Sequence, residues 1–151
     1  MSTGAGLDQV LTIVQTARNR LEYLTPNDWS LLLDKSRRQK FKKGDILIQQ
    51  GKQSRTVYLL VSGRVKVGVS KMKIAEVGPG EICGEMAFME NAVASATVTA
   101  GEDVEATAIE WSSLNELFEL FPHMGSRFYR SIAVSLSRRL REQIDPGGMA
   151  Q

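Results

Sequence analysis

The chain has 151 residues, of which 42% are hydrophobic and 24% charged, a composition typical of one globular domain. Its 19 basic and 17 acidic residues give a net charge of +2, which is too balanced to indicate nucleic-acid binding by itself. The single cysteine, Cys83, excludes an internal disulfide framework, and no apolar run approaches the roughly 20 residues of a membrane-spanning helix. No secretory signal is visible, so we expect a cytoplasmic protein without a membrane span.

Two helices are predicted before any strand. Apolar residues recur at helical spacing over Leu7–Leu24, which predicts an amphipathic helix within an N-terminal segment 1–24. A second helix is predicted to begin after Thr25, which can cap it, with Pro26 in the first turn. Asp28 suits that first turn because a carboxylate there complements the helix dipole.

Short strands separated by glycine-containing turns are predicted over about 39–110. Turn signals around Gly63 predict a hairpin between strands 57–61 and 65–69. A second hairpin is predicted around Gly101, and it would join strands at 95–100 and 104–109. Strand alternation alone leaves a sandwich and a closed barrel open. We favour a mainly β fold, an antiparallel jelly-roll barrel of about eight strands with flanking helices.

Two helices are predicted after the strands, over about 111–143. The first begins near Ser112 or Ser113, and the longer second helix has Pro122 as its first residue. The remaining residues, 144–151, are predicted to form a disordered tail. The long helix carries an apolar stripe with a spacing of four, made up of Met124, Phe128, Ile132, Leu136 and Leu140.

A glycine followed by a carboxylate marks a corner late in the strand region. The segment Gly84-Glu85-Met86-Ala87 is typical of a glycine turn that starts a short apolar helix. The glycine permits close approach of a ligand, and free N–H groups in a first helical turn favour an anion. Because a carboxylate can accept a hydrogen bond from a sugar hydroxyl, the corner suits a nucleotide sugar-phosphate. No Arg or Lys lies between Lys73 and Arg127 to neutralise the phosphate.

Three motifs in this order resemble the cyclic-nucleotide-binding domain family. The resemblance covers about Leu24 to Leu140, and it implies a jelly roll with a two-helix C-terminal lid over 25–143. It also implies cyclic AMP or cyclic GMP as the ligand, with no further cofactor. The motifs are Phe41-Lys42-Lys43-Gly44-Asp45-Ile46-Leu47-Ile48-Gln49-Gln50-Gly51, Tyr58-Leu59-Leu60-Val61-Ser62-Gly63-Arg64-Val65, and Gly84-Glu85-Met86-Ala87.

The phosphate-binding cassette of the resembled family can be placed on this sequence by counting from Gly84. Glu85 matches the residue that accepts from the ribose 2′-hydroxyl. The Arg that pairs with the cyclic phosphate in the family falls on Ala94, whereas Ser95 and Thr97 match small or hydroxyl positions. Hydrogen bonds to charged groups contribute roughly 1.5–3 kcal/mol each, so losing this Arg predicts a weak, altered or absent ligand response.

Our first interpretation is a regulatory sensor domain that is not an enzyme. Glu85 would bind the ribose, while the amides near Met86 and Ala87, with the Ser95 hydroxyl, would face the phosphate. Thr97 would contact the base or the phosphate. Ligand at this corner would then shift the short helix and, through it, the C-terminal helices.

A second interpretation is a barrel that has lost its ligand and acts as a protein-interaction or dimerisation module. The Ala94 substitution motivates it. A partner protein and a homodimer through the C-terminal helix are expected under either interpretation, and no DNA-binding domain is expected. A jelly-roll enzyme is disfavoured, because the single histidine, His123, cannot build a multi-histidine metal site, and every Ser-His-Asp or Cys-His arrangement would have to use this one residue.

Overall fold

The computed structural model describes the backbone of residues 3–144 and the side chains of residues 6–144. Helices flank a central region of short strands on both sides. In chain order the elements are α1 Thr3–Thr16, α2 Pro26–Asp34, β1 Arg37–Phe41, β2 Ile46–Ile48, β3 Thr56–Ser62, β4 Val65–Val69, β5 Met72–Val77, β6 Ile82–Cys83, α3 Glu85–Glu90, β7 Thr97–Ala100, β8 Val104–Glu110, α4 Trp111–Leu120 and α5 Pro122–Ile144.

The strands form two four-stranded antiparallel sheets. Their strand orders are β1-β8-β3-β6 and β2-β7-β4-β5. Buried side chains from both sheets make one core between them, with Ile48 and Val65 from the second sheet and Leu60 and Ala106 from the first. The predicted antiparallel jelly roll of about eight strands with flanking helices is confirmed.

The first sheet is covered on both faces. In β3, Tyr58 and Leu60 point into the core between the sheets, whereas Val57 and Leu59 pack with the helices. This double burial explains why five consecutive residues of β3 are apolar and buried rather than alternating with polar ones. The helices therefore rest directly on the sheet that carries β6, the strand leading into the Gly84 corner.

The two predicted hairpins are wrong as strand pairings, although turns do occur at both places. β3 and β4 belong to different sheets, and so do β7 and β8, so the chain crosses between sheets at these turns. Gly63 has φ +85, and a Cβ there would lie 2.3 Å from the carbonyl oxygen of Asp103 in the other crossing. A true hairpin joins β4 to β5 through Ser70 and Lys71, both with positive φ.

The first helix is shorter than predicted, because α1 ends at Thr16 and not near Leu24. The backbone N–H of Asn19 donates to the Glu81 carboxylate at 2.9 Å, and the N–H of Tyr23 donates to a serine hydroxyl of α5, also at 2.9 Å. Both N–H groups thus bind other parts of the molecule and not the carbonyls of a continued helix. Leu24 is nevertheless buried in the core, which accounts for the helix-like apolar spacing of the segment.

The predicted start of α2 is confirmed in atomic detail. The Thr25 hydroxyl accepts from the Asp28 N–H at 3.1 Å, and the Asp28 carboxylate accepts from the Thr25 N–H at 3.0 Å. Arg127 of α5 donates two further hydrogen bonds to Asp28, at 2.7 and 2.8 Å. One buried carboxylate therefore caps α2 and fixes it to the first half of α5.

The C-terminal pair of helices also agrees with the prediction. Met124, Phe128 and Ile132 of the stripe are buried, and Leu136 is partly buried. Leu140 is 56% exposed, so the stripe leaves the core near the end of α5. Beyond Ile144 the predicted tail lies outside the described residues. Over residues 3–144, no helix has the length and apolar character needed to cross a bilayer.

Candidate ligand site

A cavity of about 90 Å³ lies in front of the corner between β6 and α3. Its walls are largely apolar, with side chains from β2, β4, β5 and β7. Six of the seven predicted site residues line it, namely Gly84, Glu85, Met86, Ala87, Ala94 and Ser95. The structure thus brings together two segments that are separated by α3 in the sequence.

Thr97 is the one predicted site residue that does not line this cavity. Its hydroxyl accepts a hydrogen bond from the backbone N–H of Gln50 at 3.0 Å. Thr97 therefore holds the end of β2 against β7, and the ligand contact predicted for it is not supported by its position.

Gly84 has no room for a side chain. Its φ is +89, and an added Cβ would lie 2.9 Å from the carbonyl oxygen of Thr56 and 3.1 Å from Cδ1 of Ile48. Only glycine adopts this left-handed conformation at low cost. The corner that aims Glu85 at the cavity therefore depends on the absence of a Cβ at this position.

Glu85 is a buried carboxylate at the start of α3, and only 8% of the residue is exposed. Burial raises its pKa, while its own backbone N–H and the charge of Arg139 act in the opposite direction. Within residues 6–144 it forms no hydrogen bond to another side chain. A buried acceptor that faces a cavity in this way can bind a hydroxyl donor.

Ala94 is buried, with 5% of its surface exposed, and its methyl group faces the cavity. Its backbone is fixed, because its N–H donates to Lys52 at 3.0 Å and its carbonyl accepts from Gly51 at 2.8 Å. The cassette therefore ends against the loop after β2, and the side chain at position 94 contributes no charge to the site.

Arg139 of α5 lines the cavity and is the only basic residue among the described ones that does so. In the sequence it stands between Arg138 and Arg141, near the end of the long helix. Its place at the cavity follows from the packing of α5, which no local pattern around Ala94 reveals. No group of three potential metal ligands occurs among residues 6–144.

Phe88 connects the corner to the C-terminal helices. It lies one turn after Glu85 on α3, and its ring packs edge-on against Phe128 at 6.1 Å and stacks with Tyr129 at 6.3 Å. It also contacts Trp111 of α4 at 5.7 Å between ring centroids. A displacement of α3 would therefore change its direct contacts with α4 and α5.

Comparison with known proteins places this chain in a family. The model of the family described as "Cyclic nucleotide-binding domain" matches residues 38–120. This range covers more than half of the chain and includes both sheets except Arg37, together with the whole Gly84–Ala94 corner. The chain therefore belongs to the cyclic nucleotide-binding domain family.

Individual relatives agree with this assignment. The chain is 31% identical over 124 residues to the "Cyclic AMP receptor protein" of Thermus thermophilus, covering 79% of this chain and 56% of that protein. It is 30% identical over 97 residues to a "cAMP-dependent protein kinase regulatory subunit" of Hypocrea atroviridis, covering 64% of this chain and 21% of that one. It is 31% identical over 125 residues to the "Acetyltransferase Pat" of Mycolicibacterium smegmatis, covering 78% of this chain and 36% of that protein. The chain thus matches only part of these longer proteins.

Solved structures show the same fold. A cyclic nucleotide-binding domain from Methylobacillus flagellatus superimposes with a TM-score of 0.79, covering 97% of this chain and 85% of that chain at 20% identity. The Thermus thermophilus catabolite activator protein gives a TM-score of 0.68 at 29% identity, covering 82% of this chain and 58% of that chain.

Proposed function

We propose that this chain is a regulatory sensor domain that binds a cyclic mononucleotide, cyclic AMP or cyclic GMP, at the cavity before Gly84. The observation that carries the proposal is the joint placement of Glu85, Ala94 and Ser95 around one cavity in a member of the cyclic nucleotide-binding domain family. Relatives named for cyclic AMP and cyclic GMP support this ligand class.

Each polar group at the corner suits one part of such a ligand. The Glu85 carboxylate would accept from the ribose 2′-hydroxyl, because it is buried and has no other side-chain partner within residues 6–144. The first-turn amides at Met86 and Ala87 and the Ser95 hydroxyl would face the phosphate.

The signal would pass through α3. Ligand that binds Glu85 shifts α3, and the Phe88 ring on the same helix moves against Phe128 and Tyr129. Differential ligand affinity for two positions of these helices is what would make the module a switch. The Glu85 and Phe88 side chains leave the short helix on neighbouring turns, so a small rotation of α3 affects both.

A non-enzymatic, cytoplasmic role is part of this proposal. His123, the single histidine, is exposed on α5 and does not line the cavity. The groups that do line it are a buried carboxylate, a hydroxyl, one guanidinium and apolar side chains. That set suits binding of a polar ligand more than covalent catalysis.

Calorimetric titration with cyclic AMP and with cyclic GMP tests the proposal. Glu85→Gln should weaken binding by roughly tenfold to a hundredfold, since one hydrogen bond to a charged acceptor is lost. Glu90→Gln is the matched control, because Glu90 is exposed on the same helix and lies outside the cavity. Equal affinity of the Glu85 and Glu90 variants would contradict the ribose role.

A ligand-free interaction module is the second candidate, and two observations favour it. Ala94 stands at the position where the family has the Arg that pairs with the cyclic phosphate. The cavity of about 90 Å³ is also smaller than the roughly 300–1,000 Å³ of typical ligand sites. No heat of binding and no thermal shift at millimolar cyclic AMP or cyclic GMP would support this second candidate over the sensor.

A homodimer through α5 also remains a proposal. Leu140 is 56% exposed and Ile144 is 72% exposed at the end of this helix, so the distal apolar residues are available to a second copy. Sedimentation equilibrium distinguishes a monomer of 16.7 kDa from a species of twice that mass.

A further inference from the structure

We propose that Arg139 of α5 is the cation that binds the ligand phosphate, in place of the cassette Arg that this chain lacks. This inference rests on the proposed function and adds the identity of the anion-binding residue. Arg139 lines the cavity, whereas no Arg or Lys occurs between positions 73 and 127, the stretch that contains the entire corner.

Two observations place the Arg139 guanidinium near the corner. The residue lines the same cavity as Glu85, Ala94 and Ser95. Its positive charge also favours the ionised forms of Glu85 and Cys83, lowering the pKa of each against the larger effect of burial. An opposite charge near an acidic group favours its ionised form, so both pKa effects agree with the place of Arg139 in the cavity wall.

Arg127 and Arg138 of α5 are engaged elsewhere, and among the described arginines of this helix Arg139 is the one that lines the cavity. Arg138 forms an ion pair with Glu22, and Arg127 binds Asp28. Within residues 6–144, Arg139 forms no ion pair and donates no hydrogen bond to another side chain. A phosphate in the cavity would satisfy its guanidinium with two parallel, charge-assisted hydrogen bonds.

The position of Arg139 also couples ligand to helix movement. A cavity of about 90 Å³ must enlarge to hold a cyclic mononucleotide, and Arg139 is the only α5 residue among its walls. Arg139 also lines a larger cavity of about 690 Å³ between α1, β5 and α5. The Arg139 side chain and the end of α5 therefore have space to move when ligand enters.

The test compares the affinity of cyclic AMP with that of adenosine, which lacks the phosphate. Arg139→Met should weaken cyclic AMP binding by roughly tenfold to a hundredfold and leave adenosine binding unchanged. Arg141→Met is the matched control, since Arg141 is exposed on the same helix and lies outside both cavities. Ala94→Arg added to Arg139→Met should restore cyclic AMP affinity, because it returns a cation to the wall of the same cavity.

The outcomes separate this inference from the proposed function. Cyclic AMP binding that is equal in the wild type and in Arg139→Met overturns the role of Arg139 while leaving the sensor in place. An equal loss of cyclic AMP and adenosine affinity overturns it as well, since the residue would then act only on the shape of the cavity. Absence of cyclic AMP and cyclic GMP binding by the wild type overturns the sensor itself.

Circular dichroism and thermal unfolding of each variant establish that it is folded. Arg139→Lys keeps the charge without the planar guanidinium, so it should give an intermediate affinity for cyclic AMP.

Discussion

Glu85 is a buried carboxyl group, and its titration makes the corner sensitive to pH. Burial raises the pKa of its carboxyl group, which means that the folded state disfavours the ionised form. An isolated buried carboxylate is costly unless it gains a partner. Under the proposed function that cost becomes useful, because a ribose hydroxyl would donate a hydrogen bond that no side chain within residues 6–144 donates to Glu85.

We predict that Glu85→Gln changes the pH dependence of stability with a defined sign. The penalty for burying the ionised carboxylate is present above the raised folded pKa, and it disappears as pH falls towards the unfolded value of about 4.3. The wild type should therefore gain stability relative to Glu85→Gln as urea unfolding is repeated from pH 7 down to pH 4. A constant difference across this range would show that Glu85 titrates as an exposed carboxyl group.

Gly84 gives a stability prediction at the same corner. Gly84→Ala should lower the free energy of unfolding by about 1–3 kcal/mol, since the left-handed φ of +89 strains a residue with a Cβ. The added Cβ would also crowd the Thr56 carbonyl at 2.9 Å. Gly44→Ala is the matched control, because Gly44 has φ +94 but nothing within 4 Å of the added carbon. Urea unfolding of the pair separates crowding from backbone strain, and a smaller loss at position 84 than at 44 would contradict the steric argument.

Among the elements, those defined by local chemistry were predictable and those defined by distant partners were not. The start of α2 follows from Thr25, Pro26 and Asp28, and its capping box is as local as the sequence suggested. The residues around Gly63 correctly predicted a turn between β3 and β4. They do not determine which sheet the strand after the turn joins. β1 went unrecognised as a strand over 37–41, because this five-residue edge strand is largely polar and exposed.

The candidate site shows the same division. Gly84 and Glu85 were predictable, since their motif is contiguous and its geometry is local. The hydrogen bond of Thr97 could not be predicted. Its hydroxyl accepts from the backbone N–H of Gln50, just after β2, and no sequence pattern places this segment beside Thr97. Arg139 lies 45 positions after Ala94, and only the packing of α5 brings it to the cavity.

The contact between α2 and α5 gives a prediction at the scale of elements. Arg127 lowers the pKa of Asp28, chiefly by donating hydrogen bonds to its carboxylate, and the Thr25 N–H adds to this effect. The stabilisation is present above the unfolded Asp value of about pH 3.9 and is lost as pH falls through the lower folded value. Arg127→Met should therefore be less stable than the wild type at pH 7.

The measurement is urea unfolding of both proteins from pH 7 down to pH 2. The stability difference between wild type and Arg127→Met should shrink below about pH 4, which is the opposite trend to that expected for Glu85. Arg141→Met serves as the control, since Arg141 is exposed near the end of the same helix. A difference that is unchanged at pH 2 would mean that Arg127 stabilises the protein through packing and not through Asp28.

At the scale of the whole molecule, α5 divides into two parts with different attachments. Its first part is held by buried Met124, Phe128 and Ile132 and by the Asp28 pair. Its last part carries exposed apolar residues, and its two ion pairs, Arg138–Glu22 and Arg18–Glu142, have side chains that are more than one third exposed on both sides. Exposed ion pairs contribute roughly 0–1 kcal/mol, so the end of α5 is much easier to displace than its beginning.

This asymmetry predicts where ligand binding changes amide hydrogen exchange. Saturating cyclic AMP should slow exchange over residues 84–98, which contain the corner, and alter it in α5 after Ser135. Exchange over residues 122–132 should stay unchanged, because that part is anchored in the core. Ligand at a hundred times its Kd should also raise the free energy of unfolding by about 2.7 kcal/mol.

Glu85→Gln at the same ligand concentration is the control for the exchange measurement, since reduced occupancy should weaken both exchange effects together. Protection at residues 84–98 without any change after Ser135 would mean that binding occurs but does not reach the helix through which the module is proposed to signal.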